Sequence, residues 1–72
     1  MEYELVHEIK YHCPNNQMRD IFIEELETDD PVAFVRSRLQ GRIDELTVHE
    51  RPDGVTIYAV CDGLCHEFGF TI

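Results

Sequence analysis

Hydrophobic and polar positions alternate with period two at the start of this chain. Over residues 2–12, Tyr3, Leu5, His7, Ile9 and Tyr11 fall on one side; Glu4, Glu8, Lys10 and His12 fall on the other, with Val6 as the apolar exception. This alternation of aromatic and branched residues predicts a half-buried strand. Cys13-Pro14-Asn15-Asn16-Gln17 then supplies a turn, because Pro fixes φ and Asn tolerates left-handed backbone. Residues 18–28 fit two patterns. Met18, Ile21, Phe22 and Leu26 match a helical stripe capped by Asn15 or Asn16, whereas Ile21-Phe22-Ile23 is a strand-forming cluster. The strand is preferred, since β-branched residues flank the central Phe and a clearer helix start follows.

That start is Asp29-Asp30-Pro31, which combines an Asp N-cap with Pro at the first helical position. The helix is expected to run to about Gln40 and stop at Gly41, with Val32, Val35 and Leu39 buried and Phe34 at the margin. Arg36, Arg38 and Arg42 fall in or beside its last turns, where cations complement the dipole. From Ile43 onward the pattern is strand throughout. Arg51-Pro52-Asp53-Gly54 and Asp62-Gly63 mark the turns.

The last hairpin has a register that its side chains select. A two-residue turn at Asp62-Gly63 sets Cys61 opposite Leu64, Ala59 opposite His66, Ile57 opposite Phe68 and Val55 opposite Phe70, all on one face. A three-residue loop instead sets Ala59 opposite Glu67 and places a carboxylate in the core. The expected fold class is α+β: an antiparallel sheet of about five strands with one helix packed on one face, in the order β-β-α-β-β-β. At 72 residues this is a single small domain spanning 1–72, with a marginal core.

Charge narrows the function classes. Fifteen acidic side chains oppose six Lys and Arg, for a formal charge of −9. Such a body repels nucleic-acid phosphates and anionic membranes and attracts basic partners. With 43% hydrophobic residues it is not a disordered acidic tail. The first ten residues lack the apolar block of a signal peptide, and the longest apolar run, residues 58–61, is far too short to cross a bilayer. Three cysteines do not close a disulfide framework, so a reducing cytoplasm is the expected location.

Chemistry-bearing motifs are sparse. Cys61, Cys65 and His66 have a metal-like spacing, as does His12 with Cys13. The two-residue turn, however, sends Cys61 and Cys65 to opposite faces, which disfavours both a zinc site and a disulfide between them. No Lys or Arg adjoins Cys65 in sequence to activate it. His7 and His66 fall on core faces, where a satisfied structural histidine is the commoner role. Ser37 lies mid-helix with no assignable base, and neither GxxxxGK[ST] nor GxGxxG occurs. Only Arg38 and Arg42 would share a helix face, and dipole complementation accounts for them. No catalytic residue, cofactor or metal is therefore expected, and the protein is read as a non-enzyme.

What remains is surface. Asp20, Glu24, Glu25, Glu27, Asp29 and Asp30 crowd residues 20–30 with no Lys or Arg among them, and Glu2, Glu4 and Glu8 would extend the patch if the first two strands pair. A solvated, solubilising surface is the plain reading. The functional one is a protein-binding module or inhibitor that docks on a basic surface of a partner protein, with no direct nucleic-acid or membrane binding. The alternative is a homodimeric accessory protein that self-associates through the open sheet face, using Tyr58 and Val60 as anchors. In element order and acidity the chain resembles, at fold level, small inhibitor proteins such as phage-encoded anti-defence factors.

Overall fold

The computed structural model describes residues 1–10 and 19–72. The turn expected at Cys13-Pro14-Asn15-Asn16-Gln17 lies outside those residues, as do Tyr11, His12 and Met18. Five strands and one helix follow the expected order: β1 (Glu2–Lys10), β2 (Arg19–Glu27), α1 (Pro31–Arg38), β3 (Ile43–Arg51), β4 (Gly54–Cys61) and β5 (Leu64–Thr71). The strand reading of the ambiguous second segment holds.

All pairings are antiparallel, and the spatial order is β2-β1-β5-β4-β3. The fold thus consists of the β1–β2 hairpin and the β3–β4–β5 meander, fused where the first and last strands pair at the centre. The last hairpin has the register that its side chains select, from Cys61 opposite Leu64 to Val55 opposite Phe70. Its turn needs positive φ at both positions, and Asp62 (50°) and Gly63 (80°) supply it.

One face of the sheet is dry. Leu5, Ile57, Phe68 and Phe70 are fully buried there, with Ala59 and Cys61 beside them and Val35 and Leu39 of α1 above. Each large side chain so removed from water stabilises the fold by about 1.5–3 kcal/mol. Tyr3 and Phe34 both meet the Phe70 ring edge to face, at 5.7 and 5.9 Å.

The helix opens as its sequence dictates. The Asp30 carboxylate accepts a hydrogen bond from the Ala33 N–H at 3.2 Å, and Pro31 occupies the first turn. It ends earlier than Gln40, because Leu39 already has extended backbone while its N–H still donates to the Val35 carbonyl. Gly41 therefore lies beyond the C′ position. Its φ of 138° instead serves a close approach to Asp62, whose carboxylate a Cβ would overlap and which accepts from the Arg42 N–H at 3.2 Å.

Helix length decides what stays uncovered. Eight residues make a rod about 12 Å long and 10 Å wide, laid on a sheet whose outer strands are about 19 Å apart. It screens the centre of the sheet and not its margins, so Phe22 on β2 and Val48 on β3 remain exposed although they occupy core-face positions.

Candidate functional site

Two side-chain groupings stand out, one on each face of the sheet. The first is a carboxylate quartet at the end of the β1–β2 hairpin. Pairing places Glu2 opposite Glu27 and Glu4 opposite Glu25, all four on the face away from the helix. Directly opposed residues hold their Cβ atoms about 4.5–5.5 Å apart, where like charges destabilise the pair. Among the described residues no ion pair reaches these four. Tyr3, Leu26, Thr71 and Ile72 complete an open groove of about 550 Å³ around them.

The other residues of the acidic run are dispersed. Glu24 alternates onto the helix face, where Arg38 Nη2 lies 2.5 Å from its buried Oε1. The same guanidinium sits 4.7 Å over the Phe34 ring. Asp29 meets the N-terminal amine at 3.4 Å, Asp30 is the helix cap, and Asp20 sits on the helix face opposite Ile9. The linear run of six is thus scattered: Glu25 and Glu27 join the surface quartet, Glu24 pairs with Arg38 on the other face, Asp30 caps the helix, and Asp29 and Asp20 lie apart from these. The side chains of Glu2 and Glu4, contributed by the neighbouring strand, complete the quartet. Arg42 leaves the helix altogether and pairs with Asp44 at 2.9 Å, so it shares no helix face with Arg38.

On the same open face, Tyr58 is 44% exposed and Val60 is half-buried. Tyr58 is not a free apolar anchor. Its hydroxyl hydrogen-bonds Glu67 directly opposite, and that bond, with the Glu67 charge, raises its pKa above the ordinary phenol value. Glu67 also lies 3.8 Å from Lys10. The remaining apolar surface on this face, Ile21, Ile23 and Val6, lies at its other side, with Glu8 and Glu67 in between.

The second grouping is internal. His7 Nε2 lies 2.9 Å from His66 Nδ1, so one neutral ring donates its N–H to the other. His7 is only 6% exposed and stacks on Phe68 at 4.0 Å. Burial, then His66, then Arg38 push its pKa down to about 4, against an opposing pull from Glu24. Burial lowers His66 as well. Both rings are therefore neutral at physiological pH and occupied with each other. Residue position alone does not reveal this pair, because the rings meet only through the β1–β5 pairing; the sole signal was that both lie on core faces.

Cys61 behaves as a packing group of the core. Cys61 is buried, and desolvation followed by the charges of Asp62 and Asp44 raises its thiol pKa, which removes thiolate character. Cys65 lies on the opposite face, across from Lys10 on β1, so the two thiols are separate. Among the described residues no three His, Cys, Asp or Glu side chains converge as a metal-binding group, and no helix is long and apolar enough to cross a membrane. No family model, curated protein or solved structure matches the chain.

Proposed function

We propose that this chain is a small, non-catalytic, cytoplasmic protein-binding module or inhibitor whose carboxylate quartet docks on a basic surface of a partner protein. The observation that carries this reading is the double Glu–Glu opposition across β1 and β2. Opposed like charges oppose folding, so a chain that needed only solubility would be better served by the same carboxylates spaced apart. A cationic surface laid over the quartet relieves that repulsion on binding, and the net charge of −9 steers the encounter.

The test is capture of a partner from extract of the source cells at low and high salt, with the wild-type chain and with Glu25→Lys/Glu27→Lys, which sets each new Lys opposite a Glu of β1. Capture should weaken as salt rises and should weaken again in the variant. The variant itself should be more stable to urea by about 0.5 kcal/mol, because each substitution turns a repulsion into an attraction. Binding indifferent to both salt and charge reversal refutes the reading.

The exposed Tyr58 with its half-buried neighbour Val60 favours a second reading, self-association through the open face. Sedimentation would then give a dimer that Tyr58→Asp dissociates, and a monomer at high concentration eliminates it. The intervening Glu8 and Glu67 divide that face, which makes it the weaker surface.

A further inference from the structure

The two edges of the sheet differ in kind. Sheet edges expose unpaired N–H and C=O groups, and folds usually blunt them with bulges, charges or proline. The β3 edge is blunted in this way: its register slips between Ile43 and Glu45, and it carries Asp44, Glu45 and Glu50 along its length. The β2 edge is not. It runs nine residues in unbroken register with β1, contains no proline, and among the described residues nothing pairs with its outer side.

The side chains of β2 divide it into two halves of different chemistry. Ile21, Phe22 and Ile23 are 49%, 51% and 69% exposed. Because they alternate across the sheet, with Phe22 on the helix side and the isoleucines on the open side, a neighbouring strand would find apolar surface on both of its faces. The other half carries Glu25 and Glu27, backed by Glu4 and Glu2 on β1.

We propose that the outer edge of β2 is a strand-addition site for an extended segment of the partner protein, basic at one end and apolar at the other. This inference rests on the basic-partner reading above and adds to it the mode of binding. Running antiparallel to β2, the segment would set Lys or Arg opposite Glu27 and Glu25, then apolar residues opposite Ile23, Phe22 and Ile21. Main-chain hydrogen bonds supply the affinity and the alternating side chains supply the selectivity. A second copy of this chain is a poor occupant. Two-fold pairing that matches the apolar triplets about Phe22 sets Asp20 against Glu24, and pairing about Ile23 sets Phe22 against Glu24 and Ile21 against Glu25.

The test uses the full chain and a fluorescent probe peptide, Lys-Thr-Lys-Thr-Val-Tyr-Val, with blocked termini, titrated by anisotropy. Two further peptides carry N-methyl groups on alternate amides, one peptide for each set. In strand addition only one set faces β2. One methylated peptide should therefore lose about tenfold or more in affinity while the other stays within about twofold of the parent. Ile21→Asn/Ile23→Asn, both at exposed positions and checked for folding by circular dichroism, should also weaken the probe about tenfold. Equal binding of both methylated peptides overturns strand addition while leaving a charge-driven partner intact. Absence of saturable probe binding also overturns it, as does a dimer in sedimentation that the double variant dissociates.

Discussion

Acidification from pH 7 to pH 5 should loosen this fold through His7. In the unfolded chain this imidazole titrates at 6.5, and in the folded chain at about 4. Between those values the unfolded chain holds a proton that the folded chain does not. Stability from this group is therefore complete above about pH 6.5, declines as the pH falls, and is gone below about pH 4. At about 1.4 kcal/mol per pH unit the whole interval amounts to about 3 kcal/mol, of which about 2 kcal/mol is lost by pH 5. His66 on β5 adds to the loss through its own burial. Arg38 on α1 acts in the same direction, and Glu24 on β2 opposes it. For a domain of this size, total stability is about 4–11 kcal/mol, so the midpoint of thermal unfolding should drop by on the order of 10 °C.

The measurement is urea unfolding followed by far-ultraviolet circular dichroism at pH 7, 6 and 5, on the wild-type chain and on His7→Leu. Stopping at pH 5 keeps most surface carboxylates ionised, so relief of their mutual repulsion does not mask the effect. The wild type should weaken steadily, and the variant should start lower, for want of the His66 hydrogen bond, but slope less. A wild-type stability that is flat over this range refutes the reasoning. Equal slopes in the two chains refute it too, since the titrating group would then lie elsewhere.

Two further outcomes follow from the helix and the last turn. Arg38→Met should cost about 1 kcal/mol in urea unfolding, because it leaves the buried Glu24 oxygen without its cation, and adding Glu24→Gln should recover most of the loss; additive losses in the double variant would exclude coupling. Gly63→Ala should cost about 1 kcal/mol from positive φ alone, since a Cβ there meets nothing within 4 Å, and an unchanged midpoint would show that the turn relaxes freely.

How far the chain could be read in advance depended on the range of each signal. The Asp62-Gly63 hairpin was legible to the residue, because turn chemistry and side-chain alternation both act within ten positions and agree. The Asp30-Pro31 cap was legible for the same reason. The helix end was misplaced by two residues: Gly41 was read as a terminator, but its conformation answers to Asp62, twenty-one positions away in sequence. The acidic run was visible as composition, yet alternation along β2 sent Glu24 inward to Arg38 and left Glu25 and Glu27 outside to face Glu4 and Glu2. Ile21-Phe22-Ile23 correctly marked a strand, although a strand-forming triplet does not say whether it will lie at the centre of a sheet or on its rim.

The amino-acid order by itself therefore determined the number, type and succession of elements and the pairing within the last hairpin, since period, caps and turns are properties of a few adjacent residues. Only the folded arrangement decided that β1 lies beside β5, which puts His7 against His66, and that β2 ends the sheet with its apolar residues uncovered. The physical reason is that the choice of neighbouring strands comes from burying the shared apolar face as a whole. A helix of eight residues then screens only the middle of that face.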